Sequence, residues 1–451
     1  MITILLPPKV ASILHTLHDA GYEAYIVGGC VRDSLIGRTP GDWDIATSAR
    51  PEDVQRLFRR CVATGIQHGT VTVMMGKDGY EVTTYRTDGR YSDARHPDQV
   101  TFVTSLAEDL SRRDFTINAM AYEPGEGLVD LFGGLSDLDS RTIRAVGDPV
   151  LRFTEDALRM MRAVRFSAQL GFEIEEKTFD AIRPLAPRLS LVSRERIRDE
   201  INKLLLSDHP EHFELMSQAG MTAVIMPRFD EMLATAQNSP FHIYDVGHHT
   251  LEVMKAAPAT ILQRLTALLH DTGKVEAKTT DAAGVDHFKG HPAFSAVYAR
   301  KFLKEFRYDN HISELVIRLT EVHDLRVAPT LPNVRRLIAR VGEDLFPDFL
   351  DFILADNKGK GPVSAEEFFP RYNALLQAWD EIRSRGDAIT LRDLAVKGSD
   401  LIDAGMRPGK EMGVLLQQML EDVLETPEHN TKEYLLTRHL GAGNRKESSL
   451  L

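Results

Sequence analysis

The chain lacks the features that would tie it to a membrane, an oxidising compartment or a polyanionic surface. Only two of its 451 residues are cysteine, Cys30 and Cys61, which gives neither a disulfide framework nor a zinc cluster. No apolar run approaches the roughly 20 residues that a membrane-spanning helix needs. The N-terminal MITILLPPKVASILHTL has no basic n-region and no small-residue cleavage site. These absences predict a cytoplasmic protein without a membrane partner. An excess of positive charge is missing as well. The formal net charge is -12 at pH 7, so any nucleic-acid contact has to come from a local basic face. Residues 141–203 supply one: 13 Lys+Arg stand against 10 Asp+Glu, and most of these cations are arginine, the better reader of phosphate and base edges. Repeats of 20–50 residues and low-complexity tracts are also absent. What remains is 43% hydrophobic and 27% charged, a globular composition long enough for about three domains.

Two textures divide the chain. Residues 9–20 (KVASILHTLHDA) predict a helix stopped by Gly21. From there to about residue 135, YEAYIVGG, DWDIAT, TVTVMMGKDGYEVTTYR and QVTFVTS have the β-branched and aromatic content of strands, mixed with helical patches. Lys77-Asp78-Gly79 predicts a hairpin turn that pairs residues 70–75 antiparallel with residues 80–86. Beyond about residue 148 helical periodicity dominates. An α+β head followed by an all-helical remainder is therefore expected. Residues 358–362 (KGKGP) suggest a boundary, and residues 441–451 a frayed tail.

The densest chemistry lies in residues 27–47, VGGCVRDSLIGRTPGDWDIAT. Gly28 and Gly29 allow backbone N–H groups to approach phosphate oxygens, and Arg32 can add a charge-assisted bond. If DWDI is a strand, Asp42 and Asp44 project to one face, where two converging carboxylates call for a cation such as Mg²⁺. Glu81, on the hairpin strand, can complete a triad that holds metal ions for nucleotidyl transfer. Downstream, RRDFTINAM places Arg112, Arg113 and Asp114 ahead of an expected apolar helix. One arginine suits a phosphate and Asn118 a sugar hydroxyl.

Residues 155–159 (EDALR) set Asp156 and Arg159 three apart, on one face of an expected helix. A carboxylate accepts from the exocyclic amine of cytosine or adenine, and a guanidinium donates to cytosine N3/O2 or adenine N1. Guanine and uracil oppose both contacts. The pair can thus select C and A with no nucleic-acid template.

These motifs, GGCVRDSLIG…DWD, RRDFTINAM, EDALRMMRAVRF and SRERIRDE, resemble in order the motif set of class II tRNA nucleotidyltransferases, the bacterial CCA-adding enzymes and their poly(A) polymerase relatives. The resemblance covers about residues 20–205. It implies a polymerase-β-like head with a mixed sheet and catalytic Asp42 and Asp44 holding Mg²⁺. It also implies nucleotide contacts from Arg112 and Asp114, with Asp156 and Arg159 as the amino-acid template. Arg162 and Arg165, farther along the same motif, join the nucleotide-binding set, and Arg194-Glu195-Arg196 support the template helix. Residues 86–104 match the loop with which the family switches from C to A addition, which speaks against a CC-only enzyme and leaves an A-only enzyme open.

The helical body carries a second series: His249, His270-Asp271 and Asp356, with His291 and His323 between them. Their order resembles an HD-domain phosphohydrolase, and histidine-rich ligation suits Ni²⁺, Mn²⁺, Fe or Zn²⁺ better than Mg²⁺. Lys274 is placed to meet a phosphate, while His242, His248, His287 and Asp324 are read as non-ligands. The segment from residue 391 onward resembles the C-terminal, tRNA-docking module of HD-containing members. The resulting expectation is a head at residues 1–147, a helical neck at 148–230, an HD body at 231–360 and a tail at 361–451. The expected function is CCA addition to tRNA from CTP and ATP. Alternatives are an A-adding or poly(A) polymerase, an HD phosphohydrolase with a secondary head, and an RNA-binding module with an inactive head.

Overall fold

A computed structural model describes residues 2–66, 69–88, 100–238 and 243–441. Most of residues 86–104, His242 and all but the first residue of the expected frayed tail, 441–451, lie outside that set. The chain divides into two compact units, Met1–Asp230 and Glu231–Leu451.

The first unit opens with the helix Pro8–Asp19, which buries Val10, Ile13, Leu14 and Leu17, one stripe at helical spacing. It ends before Gly21, whose φ of 85° is a conformation glycine adopts freely. The strands follow: β1 (Ala24–Val27), β2 (Asp44–Thr47), β3 (Cys61–Gly65), β4 (Thr70–Met75), β5 (Asp78–Thr84), β6 (Arg86–Asp88), β7 (Val100–Phe102), β8 (Met120–Glu123) and β9 (Gly127–Asp130). Seven of them form a mixed sheet in the order β3-β4-β5-β2-β1-β8-β9. β1 runs antiparallel to β2 and β8, while β2 and β5 are parallel. Tyr25, Val27, Ala46, Tyr85 and Ala121 pack with Leu106 and Leu110 of the helix Leu106–Ser111 to form the core on one face.

Three sequence expectations need correction here. The hairpin turn falls at Gly76-Lys77, because Met75 pairs with Asp78 and Gly76 supplies the positive φ. β2 begins at Asp44, so Asp42 precedes the strand and does not share its pleat. No apolar helix follows RRDF: Thr116–Asn118 is a single 3₁₀ turn and Met120–Glu123 is strand β8, whose first three residues are buried. Residues 100–102 form the expected strand, paired with residues 86–88 in a separate two-stranded ribbon.

Helices complete this unit, among them Pro149–Glu155, Leu158–Leu170 and Arg194–Leu205. The second unit is helical apart from a short ribbon, Thr279–Thr280 with Asp286–His287. Its helices Val246–Ala256, Ile261–Leu269, His291–Glu305, Asn310–Val322 and Phe346–Gly359 hold the histidine series. Within residues 358–362 only Lys360 and Gly361 break the helices Phe346–Gly359 and Pro362–Arg385, inside one compact unit. Among the described residues no helix is long and apolar enough to cross a membrane.

Candidate functional site

The first site forms where β1, β2 and β5 lie side by side. Val27 pairs with Asp44 across the antiparallel ladder, and Ile45 pairs with Val82 across the parallel one, so Asp44 at the start of β2 comes beside Glu81 in the middle of β5. Asp44 titrates above the usual carboxylate range. Desolvation is the main cause, and the negative charges of Glu81 and Asp42 add to it, while Arg113 pulls the other way. The charges of Glu81 and Asp42 beside Asp44 are relieved by a divalent cation, and the oxygen-only donor set suits a hard one. Gly28, directly after β1, has φ 78°. A Cβ at that position would lie 3.0 Å from Arg113 Nη1, so glycine is what admits Arg113 to this corner.

Behind the carboxylates runs a covered polar chain. Arg32 donates to Asn118 Oδ1 at 2.6 Å and to Asp33 at 2.8 Å. Asn118 Nδ2 donates to Asp114 Oδ1 at 3.2 Å, and Arg162 donates twice to Asp114 Oδ2, at 2.8 and 2.5 Å. With the Phe115 N–H at 2.8 Å, Asp114 accepts four bonds. Burial opposes its charge, but Arg162 and Asn118 outweigh burial and hold its carboxyl well below the ordinary range. Phe166 is the apolar centre of this cluster: the guanidinium carbons of Arg32, Arg162 and Arg165 lie 5.0, 5.2 and 3.6 Å from its centroid. Arg165 is only 5% exposed and is committed to Glu200 at 2.7 Å, so it braces two helices. Arg112 is clamped by Asp109 and the Arg86 carbonyl.

The expected Asp156–Arg159 pair is not an ion pair on one helix. Asp156 lies between the helices Pro149–Glu155 and Leu158–Leu170. Arg196 grips it through Nη2 at 2.7 Å and Nη1 at 3.3 Å, and the Leu158 N–H adds a bond at 3.0 Å. Arg159 instead donates to Glu155 at 2.6 Å and to the carbonyls of Arg152 and Arg112 at 3.2 and 2.9 Å. A carboxylate offers about four acceptor positions and a guanidinium five N–H groups. These contacts leave Asp156 one acceptor position and Arg159 two donors.

The second cluster lies in the helical unit. His249 Nε2 is 3.1 Å from Asp356 Oδ1 and 3.4 Å from Asp271 Oδ2, and His270 Nε2 is 3.2 Å from the same Asp271 oxygen. The other Asp271 oxygen is 3.2 Å from His291 Nε2 and 3.7 Å from His323 Nε2. His249-His270-Asp271 and Asp271-His291-His323 are thus two ligand groups that share Asp271 as a bridge. The ring orientation repeats. Nδ1 of His270, His291 and His323 each donates to the carbonyl three residues back, at 2.8, 2.9 and 2.7 Å. That fixes the tautomer and turns each bare Nε2 inward. His291 and His323 then face each other Nε2 to Nε2 at 3.0 Å, two lone pairs that a cation would reconcile. Burial lowers the His249 pKa and favours its neutral, ligating form. Asp271 and Asp356 titrate well below the ordinary range: burial opposes this, but histidines and Lys274 at the first, and Lys360 and histidines at the second, outweigh it. Lys274 Nζ is 2.7 Å from Asp271, and His248 and His287 turn away to Asp245 and Asp281.

Sequence reading gave no role to Asp109, Glu155 or Glu200 and left open which of Arg112 and Arg113 meets a phosphate. Asp109 stands three and four residues before Arg112 and Arg113, and Glu155 four before Arg159, spacings that the sequence displays. The Arg165–Glu200 pair spans 35 positions and leaves no local signal.

Comparison with known proteins agrees with this geometry. Family profiles for the poly A polymerase head domain, the RNA and SrmB-binding site of polymerase A, and tRNA nucleotidyltransferase domain 2 match residues 24–144, 171–233 and 293–438. The chain is 39% identical to the CCA-adding enzyme of Lactobacillus helveticus over 426 residues, 94% of each chain. It is 35% identical to that of Enterococcus faecalis over 435 residues, 95% of this chain and 94% of the other. The crystal structure of the Bacillus stearothermophilus CCA-adding enzyme in complex with CTP superposes with a TM-score of 0.73 at 30% identity, covering 98% of this chain and 100% of that one. The Thermotoga maritima CCA-adding enzyme complexed with tRNA shares the fold, with a TM-score of 0.59 at 21% identity over 97% and 96% of the two chains. Nucleotidyltransferases of this kind work with a divalent metal, for which the acidic and histidine clusters are the candidate holders. A nucleotidyltransferase head continuous with a CCA-enzyme-like helical remainder leaves one assignment: the chain belongs to the class II tRNA nucleotidyltransferases, among the CCA-adding enzymes.

Proposed function

We propose that this protein adds C, C and A in turn to the 3′ end of tRNA, using CTP and ATP and no nucleic-acid template, in the cytoplasm. The observation that carries the reading is the pair of clamps on Asp156 and Arg159, which leaves one acceptor and two donors for a base edge. Asp42 and Asp44, with Glu81 beside them, would hold Mg²⁺, which when bound lowers the pKa of the attacking 3′-hydroxyl and stabilises the departing pyrophosphate. Arg113 and Arg32, at the glycine step, bring positive charge toward the triphosphate. Arg162 is oriented by Asp114 and extends the same cationic wall. A buried mismatch leaves polar groups unpaired at a cost of about 1–3 kcal/mol each, which rejects G and U. The test supplies labelled CTP and ATP with tRNAs lacking their last one, two or three nucleotides and sequences the products. Incorporation of A alone into every acceptor would replace CCA addition by A addition.

A second reading applies to the helical unit, favoured by the inward-facing Nε2 atoms around Asp271. We infer a metal-dependent phosphohydrolase site, with Ni²⁺, Mn²⁺, Fe or Zn²⁺ held by His249, His270, Asp271, His291, His323 and Asp356. In the reaction water gives its hydroxyl to phosphorus, the phosphorus–oxygen ester bond breaks, and the leaving oxygen takes the proton. A 2′,3′-cyclic phosphate at a damaged RNA end is the substrate to try first.

A further inference from the structure

The first unit carries a histidine cluster that neither site uses. Residues 208–212 read DHPEH, and Pro210–His212 form one 3₁₀ turn. His209, Glu211 and His212 each place one ligand atom within 4.8 Å of the other two. His209 Nδ1 is 3.2 Å from Glu211 Oε1. Zinc holds imidazole nitrogen and carboxylate oxygen at ~2.0–2.2 Å, which spaces tetrahedral ligands about 3.4 Å apart. An ion pair with His209 satisfies only Oε1 of Glu211. The other oxygen, Oε2, is shut off from solvent and has no hydrogen-bond partner among the described residues. A covered carboxylate oxygen without a partner is costly, and a cation supplies one. Ser167, on the helix Leu158–Leu170, sets the tautomer of His212. Its hydroxyl donates to the Phe172 carbonyl at 2.6 Å, so toward His212 Nδ1, at 3.0 Å, it accepts. Nδ1 therefore carries the proton and Nε2 keeps its lone pair. Gly171 makes room for His209. It ends the helix at φ 67°, and a Cβ there would lie 3.0 Å from His209 Nε2.

We propose that His209, Glu211 and His212 form a binding site for a divalent metal ion of the zinc class. Two imidazoles and a carboxylate suit Zn²⁺, Ni²⁺ or Cu²⁺ and serve Mg²⁺ or Ca²⁺ poorly, because those ions want oxygen alone. On binding, the ion takes the place of the proton between His209 Nδ1 and Glu211 Oε1, and that proton leaves to solvent. The His209 side chain is 44% exposed, so the ion enters from water. Three protein ligands leave the fourth tetrahedral position to a water molecule. Through Ser167 and Gly171 the loaded turn is tied to the end of the helix Leu158–Leu170, which carries Arg159 and Arg162. The ion thus acts as a fastening on the helix proposed to select the base.

The test uses the full-length protein after metal is removed with a chelator. Diethyl pyrocarbonate modifies histidines that are not coordinated, and mass spectrometry assigns each adduct to its residue. Ions at the histidine cluster of the second unit therefore do not confuse the reading. Micromolar Zn²⁺ should slow modification of His209 and His212 by about tenfold or more, and millimolar Mg²⁺ should not. His15, whose side chain is 77% exposed beside Asp19, is the internal control and should react equally with and without Zn²⁺. Glu211→Gln keeps the shape of the side chain. It should leave the melting temperature of the metal-free protein unchanged, while the Zn²⁺ needed for protection rises by more than about tenfold. Ser167→Ala frees the His212 tautomer and should raise that concentration about tenfold, the lower end of the range for a residue that orients a ligand. His209 and His212 reacting at the same rate with and without Zn²⁺ would overturn the proposal. So would equal protection of His15, which would mean loose surface binding, or undiminished protection in Glu211→Gln.

Discussion

Replacing Arg196 by alanine tests whether base selection depends on how Asp156 is held. Arg196 makes two charge-assisted bonds to Asp156, at 2.7 and 3.3 Å, and the side chains are 24% and 16% exposed. A hydrogen bond between charged groups contributes roughly 1.5–3 kcal/mol. The second bond is long and water reaches the pair, so the two together are taken as about 1.5–2 kcal/mol. Without Arg196, Asp156 keeps the Leu158 N–H, and its carboxylate can rotate away from the base edge. At about 1.4 kcal/mol per factor of ten, kcat/KM for CTP and ATP should fall about tenfold. UTP and GTP never used the oriented acceptor and should fall less, so discrimination shrinks by most of that factor. The assay is single-nucleotide extension of tRNAs lacking one, two or three terminal residues, with each of the four triphosphates, beside a melting curve. Arg196→Lys should restore part of the melting temperature but little of the fidelity, because an ammonium cannot reproduce the two-pronged grip. The reasoning fails if Arg196→Ala lowers the melting temperature while the preference for CTP and ATP over UTP and GTP is unchanged. Arg196 would then be a structural tie only.

Three further outcomes are expected. Asp44→Ala should abolish addition of both C and A while tRNA affinity, measured by filter binding, stays within about twofold, since its proposed role is to hold the metal with Glu81 and Asp42 beside it; a near-wild-type extension rate would remove it from the reaction. Asp114 has a depressed folded pKa, with Arg162 and Asn118 outweighing burial, so its contribution is present above the unfolded value of about 3.9 and is lost as pH falls toward the folded one. Asp114→Asn should therefore lower the melting temperature at pH 7 and flatten its decline below about pH 4, and an unchanged acid limb would show that another group governs it. His270→Ala should strip transition metal from the helical unit by elemental analysis and leave Mg²⁺-supported CCA addition nearly intact; equal loss of both activities would mean that the variant is unfolded.

The legible parts of the chain were those written in local spacing. Pro8–Asp19 repeats its buried residues every three to four positions, and β4 and β5 alternate around a glycine-containing turn. The motif order from Gly28 to Glu200 placed the candidate metal-holding carboxylates and the proposed base-selecting residues within one chain segment. Local reading failed where neighbours in space overrode it. Met120–Glu123 looks helical in an apolar run, but it completes the sheet beside β1 and becomes a strand. Asp156 and Arg159 have the spacing of a helical ion pair, but a break in the helix sends them to Arg196 and Glu155.

The sequence by itself determined which residues can do chemistry: the D-x-D carboxylates, the arginine-rich neck, and the histidines and aspartates of the body. Side-chain type and short-range spacing are local properties, and they survive without the fold. Tertiary structure decided which of these meet. Parallel pairing of β2 with β5 brought Glu81 to Asp44 across 37 positions of chain. The packing of five helices turned separated histidines into two ligand groups joined at Asp271. Such convergence depends on register and crossing geometry, which burial of the whole core fixes and no single segment encodes.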